Sequence, residues 1–238
     1  MSGSIFLLQG DAKLVQMDES PYESEALLQR LLAQYPQLLA GDQIDSTNPR
    51  RWLLVCRELA IPDEEDGSAR WALDHLFLDQ DAIPTLVEVK RCSDGRARRE
   101  VVAQMLDYAA NAVLYLRVEA ILSALERTWA PSGLSPEQAL VKYLGEDDPT
   151  DFWNRVKTNL EAGNIRLVFV ADEIRSELRR IVEFLNGQMK SAEVLALEVK
   201  QFTGEGLTTL VPRVIGQTAE AERTKSTGSR PKRSWDEE

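Results

Sequence analysis

Apolar positions along the chain fall into two periods, one helical and one of strand type. Leu27, Leu28, Leu31 and Leu32 recur at helical spacing between Pro21 and Pro36, which predicts a helix over about 22–35 that stops at the second proline. Before it, SIFLLQGDAKLVQM (4–17) predicts two short strands around the turn pair Gly10-Asp11. WLLVCRELAI (52–61) predicts a strand, and the acidic loop DEEDG (63–67) separates it from WALDHLFLDQDAIPTLVEVK (71–90), two strands joined by a tight loop. Alternation puts Leu86, Glu88 and Lys90 on one face and Thr85, Val87 and Val89 on the other. With an odd loop such as 79–83, cross-strand partners sum to 162 and Asp74 falls opposite Glu88.

The second half alternates helices and strands. Val101, Met105, Leu106, Ala109, Ala112, Val113 and Leu116 predict one long helix over 97–126, with Gln104, Tyr108 and Asn111 along its polar border. Ser135, Pro136 and Gln138 spell an N-cap, a first-turn proline and a capping box, opening a short helix that ends at Gly145. A further helix carries Phe152, Trp153, Val156 and Leu160 and ends at Gly163, so that about 130–163 is expected as a helical insertion. IRLVFVA (165–171), a helix over 173–186 and VLALEVKQF (194–202) form a strand–helix–strand unit, which predicts parallel neighbours. GLTTLVPRVI (206–215) turns back across Thr203-Gly204-Glu205. These elements give an α/β class with a single domain over 1–216, and the polar segment 217–238 is expected to be disordered.

Composition narrows the function classes. At 43% hydrophobic and 28% charged residues the chain is globular, and its net charge of −11 argues against binding nucleic acid by overall attraction. A local basic track remains open at Arg91, Arg96, Arg98 and Arg99, which Arg50, Arg51 and Arg57 would extend. Cys56 and Cys92 are too few for a disulfide framework, so reduced thiols and a cytoplasmic location are expected. No apolar run approaches a membrane span, and no membrane partner is expected.

Candidate chemistry centres on 71–90. Directly opposed carboxylates repel, so Asp74 facing Glu88 gains only if a cation sits between them, with Lys90 two residues along the same face. Glu25 stands at the start of the first helix, where a helix dipole alone would favour it. Glu198-Val199-Lys200 repeats the acid–x–lysine triplet without a hairpin partner bearing an aspartate, and is expected to be ordinary sheet-face polarity. His75 alternates away from Asp74 and is expected in the core or on the sheet face.

The order of a helix with Glu25, a strand, a strand with Asp74, a strand with Glu88-Val89-Lys90 and a helix with Gln104 and Tyr108 resembles the PD-(D/E)XK nuclease superfamily. Gln104-x-x-x-Tyr108 is similar to the helix motif of its RecB-like and lambda-exonuclease-like branch. Leu73 stands where the family has a proline. The resemblance implies a restriction-endonuclease-like core, a mixed central sheet flanked by helices, and metal-dependent phosphodiester hydrolysis, of DNA before RNA, in genome maintenance or defence against foreign DNA. It further implies Mg, with Mn as substitute, held by Asp74, Glu88 and the Val89 carbonyl. Lys90, Glu25, Gln104 and Tyr108 would complete the catalytic set, and the four arginines at 91, 96, 98 and 99 would contact nucleic acid. The alternative is a catalytically inactive nuclease-fold module that binds nucleic acid or a protein partner, and a homodimer is left open.

Overall fold

A computed structural model describes residues 3–10, 13–61, 71–91, 97–146 and 148–217, with the side chains of 71 and 97–99 outside that description. The expected loop at 63–67, Cys92, Arg96 and the tail beyond 217 therefore lie outside the described residues. Strands β1 (Ser4–Gln9) and β2 (Lys13–Glu19) are followed by α1 (Glu25–Gln34), a 3-10 turn at Pro36–Leu39 and the single-turn α2 (Gly41–Ile44). Next come β3 (Leu53–Ile61), β4 (Trp71–Leu78), β5 (Pro84–Val89), α3 (Ala97–Tyr115) and α4 (Val118–Trp129). The chain continues through α5 (Pro136–Ala139), a π-turn at Leu140–Leu144, α6 (Pro149–Glu161), β6 (Arg166–Ala171), α7 (Ser176–Gln188), β7 (Glu193–Gly204) and β8 (Leu207–Ile215).

The strands form one mixed eight-stranded sheet in the order β1-β2-β7-β6-β5-β4-β3, with β8 also pairing β7. β5, β6 and β7 run parallel, as the strand–helix–strand pattern predicts, and the other pairings are antiparallel. All six residues of β6 are buried, which suits a central strand covered on both faces. One face packs on the larger core, where Val101, Met105, Ile121, Leu125, Phe152, Val156 and Val182 from α3, α4, α6 and α7 meet Leu76, Leu86, Leu167 and Phe169. The segments over 130–163 thus share this core with the sheet. The opposite face is covered by Leu28 and Leu32 of α1, against Phe77, Val87, Val89, Val168 and Val170.

Two local details bear on the site. The helix expected to run unbroken over 97–126 is two helices, bent by 111°. Arg117 takes an extended conformation (φ −94°, ψ 148°), and Leu116 beside it is buried at the corner. Helical spacing of apolar residues persists across that corner, so periodicity alone does not reveal it. The second detail is a face switch: Cys56 and Leu59, like Leu76 and Leu73, all turn to the larger core although the members of each pair are three positions apart. Strict alternation fails there, and the failure centres on Glu58, at φ 52°, and on Asp74, which the β3–β4 register places opposite each other.

Candidate active site

β4 and β5 pair in the register His75↔Val87, Leu76↔Leu86, Phe77↔Thr85 and Leu78↔Pro84, with 79–83 as the connecting loop. Their ladder stops at His75↔Val87. Both strands stay in the sheet beyond that point, β4 paired to β3 as far as Trp71 and β5 paired to β6 as far as Val89. Asp74 and Glu88 stand one step past the last pair, where the two strands part.

Asp74 closes the gap with its side chain. Oδ2 accepts the Val89 backbone N–H at 2.8 Å, so a carboxylate stands in for the main-chain acceptor that a continued ladder would supply. Oδ1 accepts the side-chain amide of Gln29 at 2.9 Å, and the Gln29 carbonyl pairs with His75 Nε2, also at 2.9 Å. One residue of α1 therefore holds two consecutive residues of β4. His75 is wholly buried and stacks on Phe77, and burial lowers its pKa to about 4, which keeps the ring neutral. It is a core histidine, packed with Phe77 beneath α1.

Glu88 shares its face with Leu86, while Val87 and Val89 turn toward α1. Its side chain is 1% exposed, with Oε1 at 3.1 Å from Lys90 Nζ. Lys90 Nζ also lies 3.2 Å from Glu25 Oε1. Glu25 and Gln29 are four residues apart on α1, so one helix face delivers both to the site. Ser24 caps that helix, accepting the Leu27 N–H, and fixes where the first turn begins.

The electrostatics follow from this crowding. Burial, and then the Asp74 charge, push the Glu88 carboxyl up to about 7 against the pull of Lys90. Asp74 is also raised, by burial first, with the Val89 N–H and Lys90 opposing. Burial pulls Lys90 down, but Glu88, Asp74 and Glu25 together outweigh it and hold the ammonium firmly protonated.

On α3, the Gln104 amide donates to Tyr108 Oη at 2.6 Å, and Tyr108 Oη donates to the Ala72 carbonyl at 3.0 Å. The pair thus holds the departing end of β4 two residues before Asp74. Gln104 also lines an open groove of ≈ 570 Å³ with Glu100, Ala103 and Asp107. Burial raises the Tyr108 phenol, and Glu88 and Asp74 add to that.

Asp74, Glu88, Lys90 and Glu25 are thus brought together, with Gln104 and Tyr108 bracing the strand beside them. Val89 meets Asp74 through its N–H. Of the expected nucleic-acid contacts, Arg91 donates to the Glu23 carbonyl at 3.3 Å at the foot of α1. Arg96 lies outside the described residues, and Arg98 and Arg99 are described only by their place in α3. Glu198 is buried and accepts the Ile174 N–H, while Lys200 pairs with Glu19, so this second triplet is occupied elsewhere. Gln29 is the residue that sequence reasoning missed; its one signal is a position four residues after Glu25.

Among the described residues no group of three or more His, Cys, Asp and Glu side chains is arranged to hold a metal ion. The acceptors able to contribute are Asp74 and Glu88. Glu88 Oε2 is buried with no hydrogen-bond partner among the described residues, and a divalent cation would satisfy it. Two carboxylates suit Mg²⁺, which binds through one or two such groups and keeps several waters. No family model, curated protein or solved structure matches the chain.

Proposed function

We propose that the protein is a Mg-dependent nuclease with a restriction-endonuclease-like core, hydrolysing phosphodiester bonds of DNA in genome maintenance or defence against foreign DNA. The observation that carries this reading is the meeting of Asp74, Glu88, Lys90 and Glu25 where β4 and β5 part. Asp74 and Glu88 would hold the ion, and the buried Oε2 of Glu88 is the acceptor that fits it. Held there, Mg²⁺ would supply charge neutralisation at the phosphate and a more acidic water. Lys90, kept cationic by its three acidic neighbours, offsets further phosphate charge and orients the attacking water. Gln29 and the Val89 N–H fix the Asp74 carboxylate, and Tyr108 fixes the strand that bears it.

The test is a cleavage panel of single-stranded, duplex, flapped and mismatched DNA plus RNA, with Mg²⁺ or Mn²⁺. Asp74→Ala, Glu88→Ala and Lys90→Ala each abolish cleavage, and full activity in all three would sink the assignment.

The second reading, a nuclease-fold module without catalysis, is favoured by one observation. Lys90 already pairs with both Glu88 and Glu25, so its ammonium offsets part of the acidic charge without a cation. Calorimetry separates the two readings, because the module shows no Mg²⁺ or Mn²⁺ binding that depends on Asp74 and Glu88.

A further inference from the structure

At the β3 end of the sheet an open groove of ≈ 690 Å³ lies between β3 and α4. β3 is the terminal strand there and pairs only with β4 among the described residues. Trp129 Nε1, at the end of α4, donates to the Leu54 carbonyl at 2.9 Å and holds the helix against the strand. Leu54, Leu59, Ala120 and Ala124 give the groove an apolar lining, and Arg57 and Arg127 stand exposed beside it. Neither guanidinium has an ion pair or hydrogen bond among the described residues. A groove of this size takes a large side chain, and two free arginines select for acids next to it.

One segment of this chain has that chemistry. Between 218 and 238 the only aromatic residue is Trp235, and Asp236, Glu237 and Glu238 follow it directly. Glu58 is the one acid in the described lining, and Lys232 and Arg233, just before Trp235, are of the charge to match it.

The segment also reaches. Gly216 packs against Val194, and Val194 is in register with Leu167, Leu86, Leu76 and Cys56 in turn, the last of which lines the groove. From β8 to β3 is therefore five strand spacings, about 24 Å. The 18 positions from Gln217 to Trp235 span up to ~60 Å when extended, which leaves slack to pass round the helices on the way. Tethering within that reach favours the chain's own segment over one from a second copy.

We infer that Trp235 docks in the groove between β3 and α4 of its own chain, with its ring on the apolar lining and the acids at 236–238 against Arg57 and Arg127, so that the chain covers its open β3 edge. Nothing in this depends on the nuclease reading.

Fluorine NMR on the full chain labelled with 5-fluorotryptophan tests it. The five tryptophans give five signals, and Trp235→Phe identifies the one that matters. In the parent the Trp235 signal is displaced from its position in the isolated peptide 230–238 and as broad as those of the core tryptophans. Arg57→Glu with Arg127→Glu returns it to the peptide position, and adding Asp236→Lys with Glu237→Lys to that variant displaces it again. Circular dichroism melting confirms that each variant is folded. A Trp235 signal at the peptide position in the parent overturns the inference, as does a displaced signal that the arginine reversals leave in place. A displacement found only at concentrations where the chain sediments above 26.8 kDa also overturns it, since the segment then occupies a second copy.

Discussion

At the scale of single residues, Glu88 is the group whose behaviour the site most clearly dictates. Its carboxyl is carried from an ordinary value of 4.5 up to about 7, by burial and then by Asp74. Between those two values the folded chain keeps a proton that the unfolded chain has lost, so the contribution of Glu88 to stability falls as pH rises through this window and levels off above it. Glu88→Gln removes that dependence. Its stability relative to the parent rises by about 3 kcal/mol from pH 4 to pH 8, measured by urea unfolding, and a difference flat across that range would contradict the assignment. A divalent cation competes with the same proton, so Mg²⁺ affinity should climb with pH until about 7. Gln29 belongs at this scale too. A glutamine on the border of a leucine stripe carries no chemical signature, and its partner Asp74 lies 45 residues away along the chain. Only the fold brings them together.

At the scale of elements, the face switch across Glu58 and Asp74 turns the Asp74 carboxylate out of the alternating pattern. A left-handed backbone at a residue other than glycine costs about 1–2 kcal/mol, and a β-branched side chain there costs more. Glu58→Gly is therefore neutral within about 1 kcal/mol and preserves any dependence of cleavage on Asp74, while Glu58→Val destabilises by about 2 kcal/mol and weakens metal binding. Chemical denaturation followed by calorimetry measures both effects, and equal behaviour of the two variants would show that the conformation at 58 is not required. Periodicity and turn chemistry made most elements legible: the β4–β5 register, the Ser135 capping box and the parallel β6–β7 pair all follow from short-range pattern. The corner at Arg117 and the switch at Glu58 were not legible, because neither has a proline or glycine to mark it. In both places tertiary packing overrides local preference, burying Leu116 in one and Leu59 with Leu73 in the other.

At the scale of the whole molecule, the sheet is continuous from β1 to β3 except that β4 and β5 separate within it, and the site is built into that separation. Helices on opposite faces meet across the opening: α1 reaches Asp74 through Gln29 and Lys90 through Glu25, and α3 reaches Ala72 through Tyr108. The β4–β5 pairing can be read from the sequence, but its early end cannot, since the alternation of β5 runs on past the last hydrogen-bonded pair. Because the Val89 N–H is satisfied by a side chain, Asp74 is part of the sheet's own hydrogen bonding as well as of its candidate chemistry. Removing the carboxyl group altogether therefore orphans a buried donor, so Asp74→Ala alone does not separate a lost charge from a damaged sheet. Asp74→Asn keeps an acceptor for that donor while discarding the charge. An inactive Asn variant that melts like the parent would place the requirement in the negative charge, and an active one would show that residue 74 serves the architecture alone.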